Sequence, residues 1–154
     1  MVLDPLTRLL TKDLMLGRLK EKVENSKRNG FPFSVVFISL KDFKARNNLP
    51  AFEIDAILRS VADCFKEDIR AGVDIAARMD EQDFLIAMPG SPLKKAEEIA
   101  ARVKNEITGR VKAPDNLVVE VSTGVAEYSA YSANMATTAH EVDELIRVAR
   151  EKSG

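Results

Sequence analysis

The chain has 154 residues, enough for one domain to bury a core without disulfides, and its 45% hydrophobic and 31% charged content excludes disordered and low-complexity architectures. Lys plus Arg number 23 against 24 Asp plus Glu, a formal net charge of -1, so no global positive field draws the chain to nucleic acid or an anionic membrane. One cysteine and one histidine exclude an internal disulfide and a zinc cage, and the absence of a spanning apolar run or signal-peptide layout predicts a cytoplasmic chain with no membrane insertion of its own.

In chain order, Thr11 can cap a helix carrying Leu14, Leu16, Leu19 and Val23, which stops near Asn29-Gly30, where glycine can take a left-handed terminal conformation. Residues 33–40 are a continuous apolar run, too short for a helix and bounded by Pro32 and Lys41-Asp42, which predicts a central strand. Ile54, Ile57, Leu58, Val61 and Phe65 then recur at helical spacing until residues 70–72 break the pattern. Strands at 75–78 and 84–88 flank Asp80-Glu81-Gln82-Asp83, a hairpin with a charged tip. Ser91 and Pro92 read as the N-cap and first residue of a helix buried through Leu93, Ala96, Ile99, Ala100, Val103 and Ile107.

Residues 117–121 and 123–128 predict two last strands, with Gly124 a bulge or a point of close approach. Residues 129–137 read as a loop, and a capping box of Thr138 and Glu141 opens a final helix buried through Val142, Leu145, Ile146 and Ala149. The order contains a β-α-β-β-α-β core. It predicts an α+β fold, an antiparallel or mixed sheet with helices on one face plus flanking N- and C-terminal helices.

Five separated segments share a further pattern. Asp4-Pro5-Leu6-Thr7 comes first, with Arg8 and Thr11 after it. Ser39-Leu40-Lys41-Asp42-Phe43-Lys44 and Asn47 close the first long strand, and Arg78-Met79-Asp80-Glu81-Gln82-Asp83-Phe84 turns the hairpin, followed by Met88-Pro89-Gly90. Val121-Ser122-Thr123-Gly124-Val125-Ala126 and residues 143–150 complete the set. In this order and spacing the chain resembles the GGDEF family, the diguanylate cyclase domains that make cyclic di-GMP from two GTP molecules. Arg8 stands where the family has Gly, and Thr11 where it has Asn.

The resemblance implies a single palm-like α+β domain over residues 1–154, with excision from a longer multidomain protein left open. It also implies chemistry in which carboxylates at the first strand's end and on the hairpin hold Mg²⁺ against a triphosphate. Ser39, Lys41 and Gln82 stand at carboxylate positions, Asp83 keeps its charge, and Asp80 and Glu81 replace glycines that let backbone approach phosphate. The degenerate motif Ser39, Asp80, Glu81, Gln82, Asp83 and Phe84 therefore predicts a non-enzyme with no catalytic residue, cofactor or metal.

Other positions match the family's nucleotide contacts. Lys44, Asn47, Asp55 and Arg150 match its guanine- and phosphate-contacting residues, although Asn48-Leu49-Pro50-Ala51-Phe52 runs one residue short. Turn, cap or solvent-facing roles are the plain alternatives for Asn47 and Asp55. Arg70, Asp74 and Arg102 match the family's inhibitory cyclic di-GMP site, with one residue inserted between the first two. The alternatives are a strand-opening turn for Asp74 and a helical pair with Glu98 for Arg102.

The expected function is a catalytically inactive regulatory or cyclic di-GMP receptor module in bacterial signalling. Two alternatives stand beside it: a protein-interaction domain without nucleotide, and a GTP-binding regulatory domain or residual cyclase. The partners implied are cyclic di-GMP and another signalling protein or domain, with a homodimer left open. His140 is given no role, and Cys64 is read as a core residue.

Overall fold

The computed structural model describes residues 2–40, 48–111, 113, 119–128 and 138–153. Among these, the elements run β1 (Leu10–Thr11), α1 (Lys12–Asn29), β2 (Phe33–Ser39), α2 (Ala51–Asp68), β3 (Ile75–Arg78), β4 (Asp83–Pro89), α3 (Leu93–Arg110), β5 (Ser122–Tyr128) and α4 (Thr138–Ser153). They form a mixed α+β fold around one sheet of order β1-β3-β4-β2-β5, in which β1 runs parallel to β3 and every other pair is antiparallel. None of the described helices is long and apolar enough to cross a membrane.

Side-chain alternation along β2 explains the two-sided core. Val36, Ile38 and Leu40 join Phe84, Ile86 and Met88 under α2 and α3, while Phe33, Val35 and Phe37 join Leu85 and Ala87 under α1 and α4. The two helices of the β-α-β-β-α-β core do share one face, as expected. The flanking helices cover the other, and a strand buried on both sides reads as an unbroken apolar run.

Several boundaries follow from local chemistry. Thr11 Oγ1 accepts from the Leu14 N–H at 3.4 Å, and Gly30 takes φ 72° with its N–H donating to the Ser26 carbonyl. The expected cap of α3 is different. Ser91 Oγ accepts from Arg70 Nη2 at 3.1 Å, and the α3 N-terminus is met by Glu127 Oε2, which accepts from the Leu93 N–H at 2.6 Å. A carboxylate from β5 does the work expected of a neighbouring serine, and it also sits favourably at the positive end of the helix. The strand expected at 117–121 falls partly outside the described residues. Of the rest, Val119 and Val121 are buried without strand pairing, and β5 begins at Ser122. The 129–137 loop lies outside the described residues.

Candidate functional site

Ser39, Asp83 and Ser122 stand opposite one another across β4, β2 and β5. Directly paired residues project from the same face, here the face under α1 and α4, so one carboxylate and two hydroxyls form a partly buried row at this end of the sheet. The next cross-strand row on that face is Leu85, Phe37 and Gly124, and Arg150 Cζ lies 5.3 Å from the Phe37 ring centroid. Gly124 makes this possible. A Cβ there would collide with the Ala149 carbonyl oxygen and the Ser153 nitrogen, so only glycine lets the last turns of α4 close onto β5 and bring Arg150 over the ring.

The hairpin tip is held by its own backbone. Met79 and Asp80 N–H groups donate to the Asp83 carbonyl at 2.8 and 3.3 Å, Glu81 N–H donates to Asp80 Oδ1, and Arg78 Nη2 donates to the Glu81 carbonyl at 2.9 Å. The Gln82 carbonyl accepts from Leu40 N–H, tying the tip to the end of β2. Neither Asp80 nor Glu81 has positive φ, so these replacements of glycine impose no left-handed strain. Phe84 is wholly buried and meets Phe65 edge-on at 5.0 Å, the anchor of the motif in the core.

Sequence comparison matched Asp4, Thr7 and Arg78 separately, and the structure joins them. Asp4 Oδ2 accepts from Thr7 N–H and Oγ1 at 2.8 and 2.7 Å and pairs with Arg78 Nη1 at 3.4 Å. Burial alone would raise the Asp4 carboxyl, but the Thr7 hydrogen bonds and the Arg78 charge outweigh it and hold the group below its ordinary value. Arg8, at the usual glycine position, takes φ 64°.

A second arrangement occupies the opposite end of the sheet. Residues 70–74 form a turn in which Val73 and Asp74 N–H groups donate to the Arg70 carbonyl and Gly72 takes φ 76°, a backbone conformation that favours glycine. The Asp74 side chain is 1% exposed and accepts from Arg70 N–H, Nε and Nη2 at 2.6–3.2 Å. Arg70 Nη2 also donates to the Pro89 carbonyl and Ser91 Oγ. Its hydrogen bonds to Asp74 raise the Arg70 pKa further, fixing a guanidinium whose side chain is still 49% exposed.

Arg102 is exposed on α3, and its charge bears on Asp68, two residues before Arg70, while Glu98 pairs with Lys95. The two ends are separated by the seven residues of β4, about 20 Å. Lys44 and Asn47 lie outside the described residues, and Asp55 is partly exposed early in α2. Cys64 is buried, as expected. Sequence reasoning missed Asp68 and Glu106. The spacing of Arg102, Glu106 and Arg110 marks one helical face, but nothing local in sequence announces its partner on α2.

The family model for the diguanylate cyclase GGDEF domain matches residues 1–154. The response regulator PleD of Caulobacter vibrioides is 30% identical over 130 residues, covering 81% of this chain and 28% of PleD. The diguanylate cyclase DosC of Escherichia coli is 27% identical over 156 residues, covering 97% of this chain and 31% of DosC. The chain thus spans under a third of the length of these relatives. Among solved structures, the FimX GGDEF domain of Pseudomonas aeruginosa superposes with a TM-score of 0.82 at 18% identity, covering 97% of this chain and 90% of that one. The GGDEF domain of DgcB from Caulobacter crescentus, in complex with c-di-GMP, gives 0.78 at 20% identity, with 92% and 82% covered.

These matches correct the expectation of a non-enzyme. The matching family is one of diguanylate cyclases, and DosC is itself a diguanylate cyclase. That expectation equated the loss of particular ligands with the loss of activity, whereas Asp83 remains at the strand end, directly opposite Ser39. Asp83 supplies the row's one carboxylate, and no cluster of three or more His, Cys, Asp or Glu side chains suited to a metal occurs among the described residues.

Proposed function

The chain belongs to the GGDEF family, domains of cyclic di-GMP signalling proteins, and from that premise we propose that it is a cytoplasmic regulatory domain that receives cyclic di-GMP on the surface of Arg70 and Arg102. The observation that carries this reading is the fixed Arg70 guanidinium. Asp74, Pro89 and Ser91 hold Nε and Nη2, while Nη1 makes no hydrogen bond among the described residues and lies on a half-exposed side chain. A pre-oriented Arg fork suits the acceptor edge of guanine and a phosphodiester oxygen, and little entropy remains to be lost on binding. Asp74 then acts as the group that positions Arg70. Calorimetric titration with cyclic di-GMP tests this: wild type binds, and Arg102→Ala weakens binding at least about tenfold, the scale of a hydrogen bond to a charged group. Equal affinity in both proteins, or no binding by wild type, removes the receptor reading.

A second reading rests on the other end of the sheet. The row of Asp83, Ser39 and Ser122 with Arg150 above Phe37 supports engagement of GTP there, either as a GTP-binding regulatory site or in cyclase turnover. Product formation from GTP that disappears in Asp83→Ala supports turnover, and GTP binding lost in Arg150→Ala without turnover supports the regulatory form. GTP that neither binds nor reacts excludes both.

A further inference from the structure

Two helices meet at a pair of carboxyl groups beside the Arg70 turn. Asp68 closes α2, and Glu106 lies in α3. Asp68 Oδ2 and Glu106 Oε2 are both buried without a hydrogen-bond donor, yet the two side chains lie within hydrogen-bonding range of each other. The other charged or titratable groups facing them are Glu67 and Cys64 from α2, and Arg102 and Arg110 from α3. Arg110 is committed to a two-pronged pair with Glu67 and comes only to 3.7 Å of Glu106. Arg102 acts on Asp68 through charge alone.

Two partly buried carboxylates facing each other repel, and an inward oxygen on each lacks a donor; one shared proton removes both penalties, because the protonated carboxyl becomes the donor the other lacks. We propose that Asp68 and Glu106 form a proton-binding pair, and that its proton sets how strongly the neighbouring Arg102 surface holds an anionic ligand. The ligand half rests on the receptor reading above, while the proton half does not. With the proton held, the pair carries one negative charge and Arg102 is available to a phosphodiester. With the proton gone it carries two, and Arg102 is drawn back toward Asp68.

The direction of the effect is fixed. Burial, then the Glu106 hydrogen bond and charge, push Asp68 up to about 6 from an ordinary 3.8, against the pull of Arg102. The folded chain therefore binds a proton that the unfolded chain releases. That contribution to stability is full below about pH 4 and is lost as pH rises through about 6.

The test uses the whole chain. In a carbon-detected NMR titration the Asp68 carboxyl is expected to titrate near pH 6, and between pH 5 and 7.5 the melting temperature should fall further in wild type than in Asp68→Asn. Asparagine supplies the donor permanently and removes the titration, and Glu106→Gln serves as a second variant with the same expected flattening. A midpoint near 4, or parallel melting profiles in all three proteins, overturns the pair. Cyclic di-GMP affinity should drop by up to about tenfold from pH 5.5 to 7.5 in wild type and stay level in Asp68→Asn. An equal drop in both overturns the link to Arg102. No binding at either pH overturns the receptor reading and this use of the proton, while proton uptake is decided by the carboxyl midpoint.

Discussion

The two ends of the sheet are built in opposite ways. The Arg70 turn is mostly local: five consecutive residues close on themselves, and a buried carboxylate neutralises the cation it positions, with Pro89 and Ser91 adding two longer-range acceptors. The Asp83 end is assembled from distant parts, with β4, β2 and β5 each giving one side chain and α4 bringing a fourth, joined by backbone packing on Gly124. A local site tolerates change elsewhere but little within itself. A dispersed site is vulnerable wherever its supports meet.

Substitutions can separate the two. Gly124→Ala should have the largest effect, about 3 kcal/mol, because the new methyl group meets main chain that can yield only by moving α4. Urea unfolding gives the cost. The accompanying loss of the Arg150 contact with Phe37 should leave cyclic di-GMP binding intact, and damage to both ends would break the proposed independence. Arg70→Ala is the reverse experiment, expected to cost about 2–3 kcal/mol by stranding the buried Asp74 carboxylate. The half-exposed cation places it below a fully buried pair, and unchanged stability would show that the turn does not need its fork.

Glu127→Gln should cost about 1 kcal/mol, the scale of a helix cap, by weakening the acceptor for Leu93 N–H next to the Ser91 that Arg70 holds. Thermal melts that match wild type would dismiss the cap. Arg8→Gly should move stability upward by about 0.5–1 kcal/mol, by relieving positive φ next to Thr7 in the Asp4 and Arg78 cluster. A loss of stability there would show that the Arg8 side chain earns more than its backbone strain costs.

Much of the architecture was legible because it is written locally. Gly30, the hairpin, the apolar β2 run and the close approach at Gly124 each follow from a residue type in its immediate context. Gly72, inside the 70–72 break in the helical pattern, takes a positive φ. What escaped was written across distance. Ser91 has the composition of a cap but is taken by Arg70, while the working cap comes from Glu127, 34 positions after the Leu93 whose N–H it accepts. Asp4 and Arg78 are 74 positions apart, and β1 is two residues long, too short for any periodicity. Asp68 and Glu106 belong to different helices, and no rule within one helix pairs them. The activity expectation failed differently, since counting ligands at motif positions does not measure turnover.

The long reach of Glu127 also sets a sequence of events in time. Leu93 opens α3, but the acceptor of its backbone N–H, the Glu127 carboxylate, is not in place until β5 has docked beside β2, so the first turn of that helix must wait for a strand made much later in the chain. In pulse-labelled hydrogen exchange during refolding, the Leu93 amide should gain protection together with the β5 amides and after the middle of α3. Early protection of Leu93, ahead of β5, would show that the helix start forms without its distant cap.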